Sequence, residues 1–466
     1  MNTIKCGRLW VVRALAGALC LAASSASAQT VVDEGFFDND SGSGAGAAVA
    51  LWGDTLAVGV PNETGLPAVF GAGAVNIYTR DLENGGWVLF QTLSAPDRGT
   101  DHHFGSAVAL HDKFLVVGEP GYANGQGRIS VFVSSGGFFN YQGNQEGGLA
   151  SSLGSNVAVA RHNSNTPYLV LAGAQFRSPY GGAYASAWEI SGEIGEIATL
   201  LGSRFINPED YPPTEASSGL FGRSVAIVPQ KCIPQSACEN SFSIAIGAPG
   251  HDSNTGYATV LSLHTIPSVD DWSFVLNKVA TDQTPATGEF FGDSVALDAG
   301  DGVLVPPRLV VGAPYATTQP PASITTGAVA IFERPLGGSD WDYVTQRLGP
   351  TGSQTGHTAF GAELHLEGDQ IWVGAPNYDV PADFGSIVNA GAVFEIERST
   401  SGSWELTREL HRELPVNDDD LGSSITCNAG RLVVGAPDRG FNSWINGYES
   451  PDPMFSNSFE TMICGG

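Results

Sequence analysis

Short apolar runs separated by Gly, Asn, Asp and Pro fill most of the chain, and one of them ends the same way again and again. It reads "LAVGVP" at 56 to 61, "LVVGEP" at 115 to 120, "IAIGAP" at 244 to 249, "LVVGAP" at 309 to 314, "IWVGAP" at 371 to 376 and "LVVGAP" at 432 to 437. A second element stands upstream of these endings: "FGSAVAL" from Phe104, "LGSNVAV" from Leu153, "FGRSVAI" from Phe221, "FGDSVAL" from Phe291, "FGAELHL" from Phe360 and "LGSSITC" from Leu421, with "AGAAVAL" from Ala45 as a weaker first copy. Downstream of most copies comes a third element, such as "GAVNIY" at 73 to 78 and "GAVAIF" at 327 to 332. A fourth often opens on Trp, as at Trp87, Trp272, Trp341 and Trp404. Each unit therefore predicts four short antiparallel strands in a meander, joined by hairpin residues.

About seven such units, spaced by roughly 50 to 70 residues, fall in the range that implies a propeller or solenoid. A lone four-stranded sheet leaves one face and both edges uncovered, whereas sheets set radially bury their faces on each other. The expectation is an all-β, seven-bladed β-propeller of four-stranded antiparallel blades. Small residues suit strands crowded at the axis, and Pro ends a strand because it lacks an N–H. The last unit runs into a polar tail, while "QTVVDEG" from Gln29 lines up with "QTLSAPD", which ends the first unit's fourth strand. The N-terminus is thus expected to supply the missing outer strand of the seventh blade.

Composition fits this picture: 466 residues, 15% charged, 42% hydrophobic, with 60 Gly and 27 Pro. Length alone would suggest two or three domains, but the repeat overrides that prior. Lys5, Arg8 and Arg13 precede an apolar run to Ala23 and then Ala26-Ser27-Ala28, the pattern of a secretory signal peptide. The domains read as a signal peptide at 1–28, a propeller at 29–450 and a tail at 451–466. No later run is long enough to span a bilayer, so the product is expected to be secreted, periplasmic or on the cell surface. A net charge of -27 repels phosphate backbones and argues against nucleic acid as a partner. Cys232 and Cys238 bracket a polar loop that an oxidising compartment could close as a disulfide, and Cys427 with Cys464 form a second possible pair. No C-x-x-C pair occurs, which argues against zinc.

Phe-Gly opening the first strand and Gly-Ala-Pro closing the second give this sequence its resemblance to bacterial FG-GAP repeat proteins and, more distantly, to the N-terminal propeller of integrin α subunits. The resemblance implies the propeller fold over essentially the whole chain beyond the leader and says little of activity. In the integrin relatives several blades carry a D-x-[DN]-x-[DN]-G calcium loop. The corresponding hairpins here lack three alternating oxygen donors; Asp298 with Asp301 comes nearest, and "DNDSG" from Asp38 lies before the first blade. No cofactor is expected, calcium included.

A search for catalytic motifs finds no G-x-S-x-G, H-E-x-x-H, P-loop or G-x-G-x-x-G. His102, His103 and His251 read as solvated loop residues, and "NDDD" at 417 to 420 as a repeated acidic turn. Loops that follow Gly-Ala-Pro are about twice as long in blades five, six and one as in blades two to four, and they would cluster with blade seven on one face. They place Asn62, Glu63, Tyr315, Asn377, Tyr378, Asp379, Asp383 and Phe384 beside Asp438, Arg439, Phe441 and Trp444. Aromatic rings among Asn and Asp are what a sugar or a protein loop docks on. The expected function is non-enzymatic binding of an extracellular protein or glycan, as an adhesion or interaction module. The alternatives are a secreted hydrolase or lyase acting on polysaccharide or phosphoester through loop carboxylates, and a structural envelope protein.

Overall fold

The computed structural model describes residues 42–64, 68–81, 86–177, 181–191, 197–210, 219–232, 238, 240–266, 271–317, 325–336, 338, 340–350, 357–382, 385–412, 415–428, 430–437 and 444–449. The proposed signal peptide, the tail, and the N-terminal segment expected to close the ring lie outside these residues.

Strands form where the apolar runs predict them. Six four-stranded antiparallel sheets follow one another, each with its strands in chain order. The first comprises Val49–Trp52, Thr55–Val60, Ala74–Arg80 and Trp87–Leu93. The sixth comprises Glu363–Glu367, Gln370–Ala375, Ala392–Arg398 and Trp404–Leu410, with a small hairpin of Val380–Ala382 and Gly385–Ile387 inserted after its second strand. A seventh sheet has three strands, Ser424–Asn428, Arg431–Ala436 and Trp444–Glu449. The expected seven four-stranded blades are thus corrected to six, with a three-stranded seventh sheet among the described residues. The polar sequence after Glu449 supplies no apolar run for a fourth strand.

The first strands of all seven sheets stand side by side around an axis: Val49–Trp52, Ala107–His111, Val157–Arg161, Val225–Pro229, Val295–Asp298, Glu363–Glu367 and Ser424–Asn428, the last returning to the first. Apolar side chains fill the seams between sheets. Phe114 stacks on Tyr168 at 4.5 Å across one seam, and Trp341 and Trp404 are buried in others. A bulge interrupts the pairing of third and fourth strands in all six complete blades, adding twist as the sheets fan outward. The outer strands expose apolar residues such as Val88, Leu89 and Phe90.

The two glycine signatures turn out to be halves of one joint. Within a sheet, the N–H of the Phe-Gly glycine donates to the carbonyl of the Gly-Ala-Pro glycine, as in Gly46 to Gly59 (3.0 Å), Gly361 to Gly374 (3.0 Å) and Gly422 to Gly435 (3.0 Å). Between sheets, the carbonyl oxygen of the next Phe-Gly glycine lies where a Cβ would stand: Gly105 on Gly59, Gly361 on Gly312, Gly422 on Gly374, and Gly46 on Gly435 where the ring returns to its start. Any larger residue would push the backbones apart. The serine of the Phe-Gly-x-Ser pattern completes the joint. Ser224, Ser294 and Ser424 donate to the carbonyls of Gly292 (2.9 Å), Gly361 (2.6 Å) and Gly46 (2.7 Å) of the following sheets. The repeated motif is therefore architecture.

No helix among the described residues is long and apolar enough to cross a membrane. Cys232 and Cys238 are joined by a disulfide with a Cα–Cα distance of 5.9 Å, as the sequence suggested. Cys427 carries a free thiol, and Cys464, its suggested partner, lies outside the described residues.

Candidate binding site at the channel mouth

A cavity of about 240 Å³ lies on the axis, lined by residues from the first strands of all seven sheets. Because each second strand runs back antiparallel to the first, this end of the axis is also where the Gly-Ala-Pro loops leave the sheets. Most of the lining is small: Ala48, Ala107, Ser224, Ser294 and Ser424 among others. Asp293 and Glu363 break the pattern with charge, and Glu363 occupies the position at which other sheets place the latching serine.

Arg223 Nε donates to Asp293 Oδ1 at 3.1 Å. Asp293, above all, holds the guanidinium charged, with Glu363 and the phenol of Tyr315 contributing to the same field. Burial pushes the Glu363 carboxyl up to about 8; Arg223 opposes this and Asp293 reinforces it. The wall thus holds a carboxylic acid that keeps its proton at neutral pH.

Outward from the wall the chemistry continues. The Tyr315 ring packs on Phe290 (5.1 Å between centroids) and on His357 (4.8 Å). Asn377 Nδ2 sits 3.2 Å from His357 Nδ1. Burial lowers the His357 pKa, favouring the neutral ring that can accept this bond. Tyr315 remains 41% exposed, which leaves part of its side chain accessible to a ligand.

Of the residues singled out in the sequence, Tyr315 and Asn377 are therefore brought together, through His357. Asn62 is exposed, but it and Glu63 belong to the first sheet's own loop: the Asn62 N–H donates to Ser43 O (2.9 Å), and Glu63 O accepts from Gly73 (3.1 Å). Tyr378 and Asp379 require correction. Both are 3% exposed. Tyr378 meets Phe394 edge-on at 5.2 Å, and Asp379 Oδ1 accepts the Asn389 N–H at 3.0 Å, so the long loop of the sixth sheet folds down and spends these side chains on its own anchoring. Trp444 is not a loop residue: it opens the third strand of the seventh sheet, paired with Ala436. Asp383, Phe384, Asp438, Arg439 and Phe441 lie outside the described residues.

Other sequence candidates have structural tasks. His102 is not a freely solvated loop residue; its Nδ1 lies 2.8 Å from the buried Glu119. Asp419 pairs with Arg412 in the acidic turn. Asp301 Oδ1 accepts the N–H groups of Val303, Leu304 and Val305 at 2.7–2.8 Å, and Asp298 accepts those of Gly300 and Gly368. Arg223, Asp293 and Glu363 lie within Phe-Gly segments, where the repeat masks them, and His357 stands just before one. The signal lay in departures from the repeat, where a charge replaces a small residue.

Radial four-stranded sheets joined at glycine seams define the class as a β-propeller. Within that class the FG-GAP repeat family model matches residues 87–133, from the fourth strand of the first sheet to the third strand of the second. No curated protein matches the sequence. Similar solved structures include a candidate 6-phosphogluconolactonase from Bacteroides uniformis, at 12% identity and a TM-score of 0.47, covering 80% of this chain and 87% of that one. A protein from Lactobacillus plantarum has 12% identity and a TM-score of 0.46, with 81% and 86% covered. Sqt1 from Saccharomyces cerevisiae has 10% identity and a TM-score of 0.47, with 89% and 98% covered. Likeness at this level carries no function across.

Proposed function

We propose that this chain is a secreted, non-enzymatic binding module that holds a protein or glycan ligand over the channel mouth. One observation carries the reading: Asp293 and Glu363 line the cavity with Arg223 paired to Asp293, and the cluster of Tyr315, His357 and Asn377 stands on loops that leave at the same end of the axis. A partly exposed Tyr315 ring beside an amide and carboxyl groups suits the C–H face and hydroxyls of a sugar; the Asp293 carboxylate would accept a basic side chain from a protein loop. A chain of net charge -27 disfavours an anionic ligand. Export rests on the leader at 1–28, the FG-GAP resemblance and the Cys232–Cys238 disulfide.

The test is capture on a glycan array and by surface-protein pull-down. Tyr315→Ala and Asn377→Ala should each weaken capture by about tenfold or more and leave the melting temperature unchanged. Tyr378→Ala should lower the melting temperature instead. Wild-type capture by both surface variants would sink the site. A second reading as a polysaccharide or phosphoester hydrolase is favoured by one feature, a proton-bearing Glu363 beside Asp293 in a cavity, the arrangement of an acid with a base. Turnover that disappears in Glu363→Gln would establish it in place of the first.

A further inference from the structure

Further along the axis from the cavity, one seam is chemically unlike the others. At the sixth position of the Phe-Gly segment five sheets have Ala50, Ala109, Ala158, Ala226 and Ala296, whereas the sixth has His365. Two positions on, the sixth has Glu367; side chains two apart on a strand share a face. At the seventh position of the segment six sheets carry Leu, Val or Ile, and the seventh sheet carries Cys427. These three substitutions meet. His365, Glu367 and Cys427 each offer one ligand atom, and those atoms all lie within 4.8 Å of one another across the seam between the sixth and seventh sheets.

We propose that His365, Glu367 and Cys427 form a binding site for a zinc-class divalent cation. An imidazole, a carboxylate and a thiolate form a mixed borderline donor set, suited to zinc and unsuited to calcium or magnesium, which take oxygen. Bonds of about 2.0–2.3 Å place ligand atoms about 3.3–3.8 Å apart in a tetrahedron, so the side chains need to draw in by about an ångström. The backbone holds the frame: both strands are laddered to their neighbours along their length. All three residues are partly exposed on strands that line the axis, which leaves access for the ion and a fourth position for water or a ligand. The absence of C-x-x-C excluded zinc only for ligands adjacent in sequence. Here two come from alternate positions of one strand and the third from the next repeat.

The experiment uses the secreted full-length chain, reduced, stripped with chelator and titrated with Zn²⁺ alone by calorimetry, then with Co²⁺ by absorption. The expected result is one Zn²⁺ per chain and a thiolate-to-cobalt charge-transfer band that persists in Cys464→Ser. His365→Ala and Cys427→Ser should each weaken binding by about tenfold or more, and Cys427→Ser should abolish the band. Glu367→Gln, which conserves shape, should weaken binding with an unchanged circular dichroism spectrum, separating ligation from folding. Absence of stoichiometric binding by the wild-type chain, wild-type affinity in both His365→Ala and Cys427→Ser, or a Cys427–Cys464 disulfide in the secreted protein would overturn the site.

Discussion

A single methyl group tests the glycine joint. Gly312 closes the second strand of the fifth sheet, and a Cβ built there meets the carbonyl oxygen of Gly361 and the hydroxyl of Ser294. Its backbone is ordinary strand, without the positive φ of its partner Gly361 (φ 92°), so Gly312→Ala introduces no conformational strain and isolates the contact. Overpacking against main chain costs about 1–3 kcal/mol. Displacing the Ser294 latch to Gly361 O (2.6 Å) forfeits about 0.5–1.5 kcal/mol more. The lower entropy of the unfolded alanine chain returns about 0.4–1 kcal/mol. The net expectation is a loss of about 0.5–4 kcal/mol. A long chain unfolds with roughly 2 cal/mol/K per residue, which compresses this loss into a melting shift of only a few degrees. The urea midpoint is therefore the better assay, read against Gly86→Ala, whose Cβ would meet nothing within 4 Å. If the two variants unfold within about 0.5 kcal/mol of each other, the seam is not close-packed as described and the structural account of Gly-Ala-Pro fails.

Two further outcomes follow from buried charge. His111 lies against Trp52 (4.1 Å), and burial lowers its pKa to about 4 from 6.5, with Asp112 opposing and Arg161 assisting. Folding keeps the ring neutral while the unfolded chain takes a proton below 6.5. Stability is thus full above that pH and is lost toward pH 4, by at most about 3 kcal/mol. His111→Asn should flatten the acid limb of the stability profile measured by urea unfolding, and an unchanged limb would count against the shift. Arg128, 2% exposed, pairs with Glu119 (2.5 Å) and with Asp97 and lies over the Tyr122 ring. Arg128→Ala leaves Glu119 buried with His102 as its remaining ion-pair partner and should cost about 3–5 kcal/mol in the same assay. The double variant with Glu119→Ala should lose less than the two single losses summed.

The propeller was legible because its constraints are periodic. Strand length, turn chemistry and glycine joints recur in each unit, and the recurrence exposed them without structural information. The blade count was less legible: the sequence shows seven Phe-Gly segments, but the described residues give the seventh sheet three strands, and the N-terminal segment expected to supply its fourth lies outside them. The site was less legible still. Loop length flagged Tyr315, Asn377, Tyr378 and Asp379 alike, and it could not tell a loop that projects from one that folds down, which is what separates the first two from the last two. Length reports how much chain there is, whereas burial depends on what that chain finds beneath it. Arg223, Asp293 and Glu363 are far apart in sequence and meet only because the ring brings successive first strands to one axis.

The glycine joint between sheets also bears on how such a chain changes over time. At the joint itself each neighbour need only present an unencumbered peptide, which does not record which neighbour it is. A copied or exchanged blade therefore finds the same joint beside it and has only the apolar packing of the seam to match. One blade can meanwhile accumulate Glu363, His365 and Glu367 while its neighbours keep alanine and serine. Uniformity of the joint is what permits inequality among the blades.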